Sequence, residues 1–152
     1  MDETLSIVNN TIFNKESIQH VVVNAGKIVA MQNDAQLRKS VNESDLINAD
    51  GQAVVWASKI LGKPLKERVS GIDLMEALVE LAYQNQYKIF FFGAKEEVVK
   101  TVVDRYSNDY SPKIIAGYRN GYFKKDEEQD IAKQISDSGA NILFVAISSP
   151  TK

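Results

Sequence analysis

The residues of this chain that could carry chemistry stand directly after short apolar runs. Asp50 follows one such run and precedes Gly51 and a helical pattern. A carboxylate in that position lies on the rim of a sheet, where it can act as a general base towards a hydroxyl group. Asp-Gly also forms tight turns, and aspartate is a good helix N-cap, so a turn or a cap is the alternative interpretation of Asp50.

Arg68 provides a second candidate group. It lies in the polar stretch Lys66-Glu67-Arg68-Val69-Ser70-Gly71, ahead of the next helical pattern. A guanidinium binds a diphosphate through two parallel hydrogen bonds, and a helix start offers backbone N–H groups to phosphate. Arg68 is therefore a candidate nucleotide clamp, with a surface ion pair to Glu67 as the alternative.

These residues have to be positioned by an alternation of strands and helices. Apolar runs rich in Val, Ile and Phe predict strands over residues 20–24, 45–49, 88–93, 113–116 and 141–147. Amphipathic segments predict helices over residues 26–40, 53–61, 72–83, 98–106 and 131–135. This order predicts an α/β fold, with a Rossmann-like, mainly parallel sheet and helices on both faces. The first 17 residues, with Asn9-Asn10 and Asn14, predict a small N-terminal hairpin.

Ligands of such sheets bind outside the carboxyl ends of the strands. Every predicted strand exit carries small or polar residues: Asn24, Asp50-Gly51, Gly93-Ala94-Lys95, Gly117-Tyr118 and Ser148-Ser149-Pro150. This edge can hold a polar ligand, although loops between strands and helices are in general polar and rich in glycine. Tyr118, Tyr122 and Phe123 flank a loop in which an aromatic ring could stack on a base. Trp56 and the phenylalanines at 90–92 are predicted to be core.

Composition and missing motifs exclude several classes of function. The 152 residues include no cysteine and one histidine, which leaves no thiol nucleophile, disulfide scaffold or histidine-rich metal site. The formal net charge of −2 gives no basic footprint for nucleic acid, so no nucleic-acid partner is expected. No G-x-G-x-x-G, P-loop or G-x-S-x-G motif occurs, so dinucleotide binding, P-loop hydrolysis and serine-hydrolase chemistry are unsupported. His20, at a predicted strand start, is interpreted as a strand-edge residue.

The chain begins with the acidic Met1-Asp2-Glu3-Thr4, and its apolar runs are far shorter than the roughly 20 residues that span a bilayer. We therefore expect a cytoplasmic protein, and attachment to the inner face of the cell membrane is compatible with this expectation.

Residues 22–152 resemble the WecG/TagA/CpsF glycosyltransferases, a family whose fold has been called GT-E. The resemblance rests on the order and spacing of short motifs, which are more specific together than any one alone: Val23-Asn24-Ala25, Asp50-Gly51-Gln52-Ala53, Glu67-Arg68-Val69-Ser70-Gly71, Phe92-Gly93-Ala94-Lys95, Gly121-Tyr122-Phe123 and Ser149-Pro150.

The resemblance implies transfer of an N-acetylhexosamine, typically N-acetylmannosamine, from a UDP-sugar to an undecaprenyl-diphosphate-linked sugar. Such transfer serves the synthesis of wall teichoic acid and other surface polysaccharides. Asp50 would be the base that activates the acceptor hydroxyl. The implied substrate contacts are Asn24, Gly51, Arg68, Gly93, Lys95, Tyr122 and Lys152. The sequence contains no convincing Asp-x-Asp motif, which is consistent with a metal-independent member, and no cofactor is expected.

The chain departs from the family pattern at three places, one of which is a shorter segment than expected ahead of the first predicted strand. Val22 stands where the family commonly has threonine, and Pro150-Thr151-Lys152 stands where the family has Pro-Lys-Gln-Glu. The family continues beyond this motif into a C-terminal appendage implicated in membrane contact. We therefore expect residues 1–152 to form a single glycosyltransferase domain without the appendage, and exposed apolar surface to favour a homo-oligomer.

Two alternatives to an active enzyme follow. A non-catalytic UDP-sugar-binding or interaction module derived from the family is the first. A flavodoxin- or receiver-like signalling domain is the second, although the chain lacks the paired acidic residues that a phosphoacceptor site needs after the first strand.

Overall fold

The computed structural model describes residues 1–147 of the chain, and the chain divides into two compact units. Unit 1 spans Met1–Ala77 and unit 2 spans Leu78–Lys152. Both units combine parallel strands with helices, so the prediction of an α/β fold with parallel pairing is confirmed. The single glycosyltransferase domain stays a prediction.

Unit 1 contains two strands that pair in parallel, from His20 with Leu46 to Val23 with Ala49. Val23 and Ala49 are buried, as are Val41 and Val55 of the helices. The elements in chain order are α1 (Asp2–Phe13), β1 (His20–Val23), α2 (Ala25–Asn33), α3 (Ala35–Asn42), β2 (Leu46–Ala49), α4 (Gln52–Ile60) and the start of α5 (Gly71–Asn85), within which the division between the units falls.

The N-terminal segment is a helix, and the predicted hairpin was wrong. Residues 2–13 form α1, with Asp2 and Glu3 in the first turn, where the helix dipole stabilises carboxylates. Thr4 and Thr11 are buried on the inner face of this helix. Because these polar residues take two of the inward positions, the apolar period that would have indicated a helix is diluted in the sequence.

The helix predicted over residues 26–40 is two helices that meet at Asp34. Asp34 is extended, with φ −120° and ψ 98°, and serves as the C-cap of α2 and the N-cap of α3. Its side chain accepts a hydrogen bond from Leu37 N at 2.9 Å. The carboxylate therefore satisfies a free N–H of the second helix, which favours the break at this point.

Unit 2 is built on a three-stranded parallel sheet in the order β4-β3-β5. Its strands are β3 (Ile89–Gly93), β4 (Ile115–Arg119) and β5 (Ile142–Ala146), and its helices after α5 are α6 (Glu96–Asp109) and α7 (Glu128–Asp137). Ile89, Phe90 and Phe91 of the central strand are buried, and Phe91 stacks on Tyr106 and Phe144.

The two sequence predictions about core aromatic residues have mixed outcomes. Phe90 and Phe91 are core, as predicted, and Phe92 is half-buried. Trp56, also predicted to be core, is exposed on α4, so that prediction was wrong. Helical spacing shows which residues share a face, but it does not show whether another element covers that face.

Candidate functional site

The carboxyl ends of β1 and β2 bring three predicted site residues together in unit 1. The strands are parallel neighbours, so Asn24, which follows β1, lies beside Asp50 and Gly51, which follow β2. Asp50 N donates a hydrogen bond to Val23 O at 2.9 Å, which extends the ladder beyond the strands. A Cβ atom added to Gly51 would lie 3.8 Å from the Cβ of Asn24, which shows how closely the two loops approach.

Arg68 joins this group through a backbone hydrogen bond. Val69 N donates to Ala49 O at 2.9 Å, so the segment before α5 runs alongside the end of β2. Val69 and Ser70 are buried, which anchors that segment. As a result, Arg68 Nε lies 3.8 Å from Asp50 Oδ1, with the two side chains 48% and 32% exposed.

The carboxylate of Asp50 is not a cap of α4. The N-cap of that helix is Gly51, which has no side-chain cap and adopts φ 145°, a conformation open to glycine. The carboxylate instead faces the start of α5, where Gly71 N donates to Oδ2 over a long 3.4 Å. These two long contacts leave lone pairs of Asp50 free to accept a proton from a ligand hydroxyl.

Arg68 does not pair with Glu67, the alternative considered for it. The Glu67 carboxylate accepts a hydrogen bond from the Met1 amino group. The guanidinium of Arg68 is half-exposed, and its one described ion pair is the long contact with Asp50. It therefore keeps donors for an anion.

Asn24 is the N-cap of α2, and this role uses the Oδ1 atom of its side-chain amide but not the N–H₂ group. Its Oδ1 accepts a hydrogen bond from Lys27 N at 2.8 Å. The side chain is exposed, so the amide N–H₂ can donate to a ligand.

One residue of this edge, Lys27, was not found from the sequence, and Gly71 was considered only for its backbone N–H. The Lys27 side-chain amine donates a hydrogen bond to Val22 O at 2.9 Å, so a positive charge lies next to the backbone of β1 near its carboxyl end. At Gly71, an added Cβ would lie 3.5 Å from Val22 Cγ2 and 3.7 Å from Asp50 Oδ2. In the sequence, Gly71 is a glycine at a predicted helix start. That position indicated a backbone N–H donor and gave no sign of its closeness to Asp50.

In unit 2, the loops after β3 and β4 bring Gly93 close to Gly121. Gly93 has φ 130°, and an added Cβ would lie 2.3 Å from Ala146 O of β5. Ala94 N donates to that carbonyl at 2.8 Å, and Gly121 N donates to Ala94 O at 2.9 Å. Close backbone packing therefore explains Gly93 without a ligand.

Lys95 and Tyr122 extend into solvent from the same pair of loops. Lys95 is the extended N-cap residue of α6, and its exposed side chain makes no cap hydrogen bond. Tyr122 is 70% exposed, and its N–H donates to Asn120 Oδ1 at 3.0 Å. Asn120 in turn donates to Glu96 Oε2 at 2.8 Å, which ties the Tyr122 loop to the start of α6.

The remaining predicted site residue, Lys152, lies outside the described residues, as do Ser148, Ser149 and Pro150. In the described range 1–147, no three His, Cys, Asp or Glu side chains are grouped so that they could hold a metal ion. A helix long and apolar enough to cross a bilayer is also absent from that range.

Three ionisable groups have altered pKa values: Glu67, next to Arg68 in the sequence, and His20 and Glu127. The hydrogen bond from the Met1 amino group lowers the pKa of Glu67. His20, the first residue of β1, contacts Asn48 Oδ1 through Nε2 at 2.8 Å. Its burial lowers its pKa below 6.5, against the opposing effect of that hydrogen bond. In unit 2, a hydrogen bond from Lys124 N lowers the pKa of Glu127, and Arg119, at 2.9 Å, adds to this effect. His20 and Glu127 have local structural partners, and His20 lies at the start of β1, where the sequence predicted a strand to begin.

Comparison with known proteins gives the family. The sequence profile of the glycosyl transferase WecG/TagA/CpsF family matches residues 1–152. The chain is 36% identical over 123 residues to an N-acetylglucosaminyldiphosphoundecaprenol N-acetyl-beta-D-mannosaminyltransferase of Bacillus spizizenii, a match that covers 81% of this chain and 47% of the relative. A Bacillus subtilis protein of the same name is 34% identical over 110 residues, or 72% of this chain and 42% of the relative.

The chain thus spans less than half the length of these two curated relatives. The family match nevertheless extends over every residue of the chain, and the relatives exceed one-third identity over most of it. This chain belongs to the glycosyl transferase WecG/TagA/CpsF family.

Proposed function

We propose that this chain supplies the catalytic base and donor-binding groups of a glycosyltransferase. The reaction transfers an N-acetylhexosamine, with N-acetylmannosamine as the expected sugar, from a UDP-sugar to an undecaprenyl-diphosphate-linked sugar. The names of the curated relatives support this acceptor class and this sugar. The observation that carries the proposal is the partly exposed Asp50 carboxylate, which lies between Arg68 and the start of α5.

The chemistry proposed for Asp50 is proton removal from the acceptor hydroxyl. The acceptor oxygen then attacks the anomeric carbon of the donor, the bond from that carbon to the diphosphate breaks, and UDP leaves with the bonding electrons. A positioned general base typically contributes about 10²–10⁴-fold to such a rate. The negative charge that develops on the diphosphate is stabilised by a nearby guanidinium, the role proposed for Arg68.

The other residues of unit 1 are proposed to position the donor. Asn24 would donate through its free amide N–H₂, and Gly51 would let the ligand approach the backbone closely. Tyr122 belongs to unit 2, where its ring is exposed, and its contact with the substrate stays a prediction. The substrate contacts of Gly93, Lys95 and Lys152 stay predictions.

The acceptor class also bears on location. A lipid-linked acceptor is held in a membrane, so we propose that the protein works at the inner face of the cell membrane. The products would enter cell-surface polysaccharide or teichoic acid synthesis.

The proposal is tested by exchanging Asp50 for its neutral isostere. We expect Asp50→Asn to lower the rate of sugar transfer by about 10²–10⁴-fold. Transfer is measured with UDP-N-acetylmannosamine and a short-chain lipid-diphosphate-linked N-acetylglucosamine. UDP binding, measured by calorimetry, should stay within about twofold, because asparagine keeps the volume next to Arg68.

Asp104→Asn is the matched control, because it makes the same chemical change at an exposed position of α6. Its transfer rate should equal that of the unaltered chain. Turnover retained in Asp50→Asn would remove Asp50 as the base.

A non-catalytic UDP-sugar-binding module is the second candidate, because Val22 stands where the family pattern commonly has a hydroxyl-bearing threonine. The same two assays separate the candidates. UDP binding with no transfer by the unaltered chain supports the binding module, whereas transfer excludes it. No UDP binding at millimolar concentration counts against both.

A further inference from the structure

The segment between Asp50 and Arg68 carries an exposed group of large apolar side chains. Trp56 and Ile60 lie one turn apart on α4 and are 60% and 86% exposed. Leu61 and Leu65, in the loop that follows, are 76% and 41% exposed. Single exposed apolar residues are normal, but four within ten residues form a patch of the kind that marks an interaction surface.

Most of the same segment is cationic, and Glu67 at its end is its one acidic residue. Lys59, Lys63 and Lys66 are exposed, and residues 51–66 include no Asp or Glu. Of the three, Lys66 is 3.6 Å from Glu3, and both side chains are largely solvated. For Lys59 and Lys63, the described part of the chain contains no ion pair with a carboxylate. A chain of net charge −2 therefore concentrates three positive charges here.

We call these seven side chains, Trp56, Ile60, Leu61, Leu65, Lys59, Lys63 and Lys66, the α4 surface.

The turn after α4 fixes the α4 surface in place. Gly62, at φ 70°, donates its N–H to Lys59 O at 3.1 Å, and Lys63 N donates to Ser58 O at 2.9 Å. This pair of hydrogen bonds is a Schellman motif, which ends the helix and reverses the chain. Leu65 N donates to Ser58 Oγ at 3.0 Å and holds the loop against the helix end. The apolar and basic side chains are therefore presented together rather than on a loose loop.

We propose that the α4 surface docks unit 1 on an anionic phospholipid bilayer. Tryptophan favours the boundary between headgroups and acyl chains, and the aliphatic side chains can enter the same zone. Lysine stems lie along apolar surface while the ammonium groups remain at the level of the lipid phosphates. The charge selects this occupant, because a second copy of the chain would bring three positive charges against three.

The position of the α4 surface in unit 1 connects it to Asp50. Asp50 directly precedes residues 51–66, which carry the surface, and Arg68 follows them after Glu67. Arg68 Nε lies 3.8 Å from Asp50 Oδ1. Docking would therefore hold these residues near the membrane in which a lipid-linked acceptor lies. This last step rests on the proposed function, whereas the docking itself does not.

The docking is tested by sedimentation of the chain with vesicles, in the absence of nucleotide sugar and acceptor. We expect binding to mixed phosphatidylcholine and phosphatidylglycerol vesicles and little binding to phosphatidylcholine alone. Lys59→Gln/Lys63→Gln should weaken binding about 25-fold, at roughly fivefold per lysine. Trp56→Ser/Ile60→Ser should weaken it at least tenfold, because both exposed side chains lose their apolar contact with the lipid.

Lys100→Gln/Lys113→Gln is the matched control, because it removes two exposed lysines from unit 2 with the same change in net charge. It should bind vesicles within about twofold of the unaltered chain. All variants should keep the far-ultraviolet circular dichroism of the unaltered chain, since the altered side chains are exposed.

Equal loss of vesicle binding in the control and the α4 variants would overturn the proposal, because net charge alone would then explain binding. So would light scattering that shows the unaltered chain to be an oligomer and Trp56→Ser/Ile60→Ser to be a monomer with full vesicle binding. That result would assign the surface to contact between copies. Because no sugar is present in this assay, its failure is distinct from failure of the proposed transfer reaction.

Discussion

At the carboxyl ends of β1 and β2 the groups that face solvent are side chains, whereas at the carboxyl end of β3 the backbone itself is close-packed. In unit 1, an amide, a carboxylate and a guanidinium converge at Asn24, Asp50 and Arg68. In unit 2, Gly93 lies against Ala146, and Gly121 lies against Gly93. One edge thus offers functional groups, and the other offers a shape that only glycine permits.

Because of this difference, we expect mutations at the two edges to affect different properties of the protein, activity at one edge and stability at the other. Exposed side chains such as Arg68 can be exchanged with little effect on folding, because they make few internal contacts. A glycine in the left-handed region that lies against a neighbouring strand cannot be exchanged without moving the backbone. Loss of activity with retained stability is therefore expected at the edge of unit 1, and loss of stability is expected at that of unit 2.

The largest effect on stability is expected for Gly93→Ala. The added Cβ would lie 2.3 Å from a backbone oxygen of β5 at φ 130°, so a strand must shift. We expect a loss of about 3–5 kcal/mol in the free energy of unfolding, measured by urea denaturation. Gly62→Ala is the control, because its Cβ meets nothing within 4 Å. It should lose about 1 kcal/mol, the cost of a left-handed alanine. Equal losses in the two variants would contradict the packing role of Gly93.

A smaller effect, on binding alone, is expected for Arg68→Gln. Removal of a charge-assisted hydrogen bond to the diphosphate should weaken UDP binding about 10- to 100-fold, as measured by calorimetry. Arg68→Lys should recover only part of this loss, because lysine lacks the bidentate fork.

Lys95→Gln, at the edge of unit 2, is the counterpart of this change and should weaken UDP binding by about fivefold or less, because an exposed ammonium is a hydrated point charge. A larger effect for Lys95 than for Arg68 would reverse the comparison between the two edges.

The smallest effect is expected from pH, and it also distinguishes the units. Burial lowers the pKa of His20 below 6.5, so the unfolded chain binds more protons than the folded chain just below that pH. Stability should therefore fall as the pH drops below 6.5, and His20→Gln should remove that part of the loss.

In unit 2, the pKa of Glu127 is lowered from 4.5, so the stability that its carboxylate contributes is present above 4.5 and lost only as the pH falls through the folded pKa.

The prediction for His20 is checked by nuclear magnetic resonance titration of its ring, which should give a midpoint below 6.5. A midpoint at or above that value would contradict the effect of burial.

The sequence predicted the strand exits well because polar and glycine residues mark the points where buried apolar runs end. Asn24, Asp50 and Gly93 stand within two residues of where each strand stops. The approach of Arg68 to Asp50 was not predicted from the residues, because it depends on a backbone bond between Val69 and Ala49, which are 20 positions apart. No local pattern encodes that pairing.

The wrong predictions about α1, Trp56 and the helix over residues 26–40 also have physical causes. The helix α1 was missed because Thr4 and Thr11, which are buried on its inner face, are polar and weaken its apolar period. The exposure of Trp56 depends on which elements pack beside α4. Asp34 broke a predicted helix because its extended backbone lets one side chain cap the second helix. Tertiary context decided the burial of the two threonines and the exposure of Trp56, whereas a local side-chain cap caused the break at Asp34.

The hydrogen bond from Val69 N to Ala49 O also determines how much freedom the intervening chain has. It closes the base of an excursion that leaves the sheet after Asp50 and returns at Arg68. Closing a longer loop costs little, about 0.6 kcal/mol for each doubling of its length. The tip of this excursion can therefore change in length and composition while the spacing of the carboxylate and guanidinium at its base is preserved.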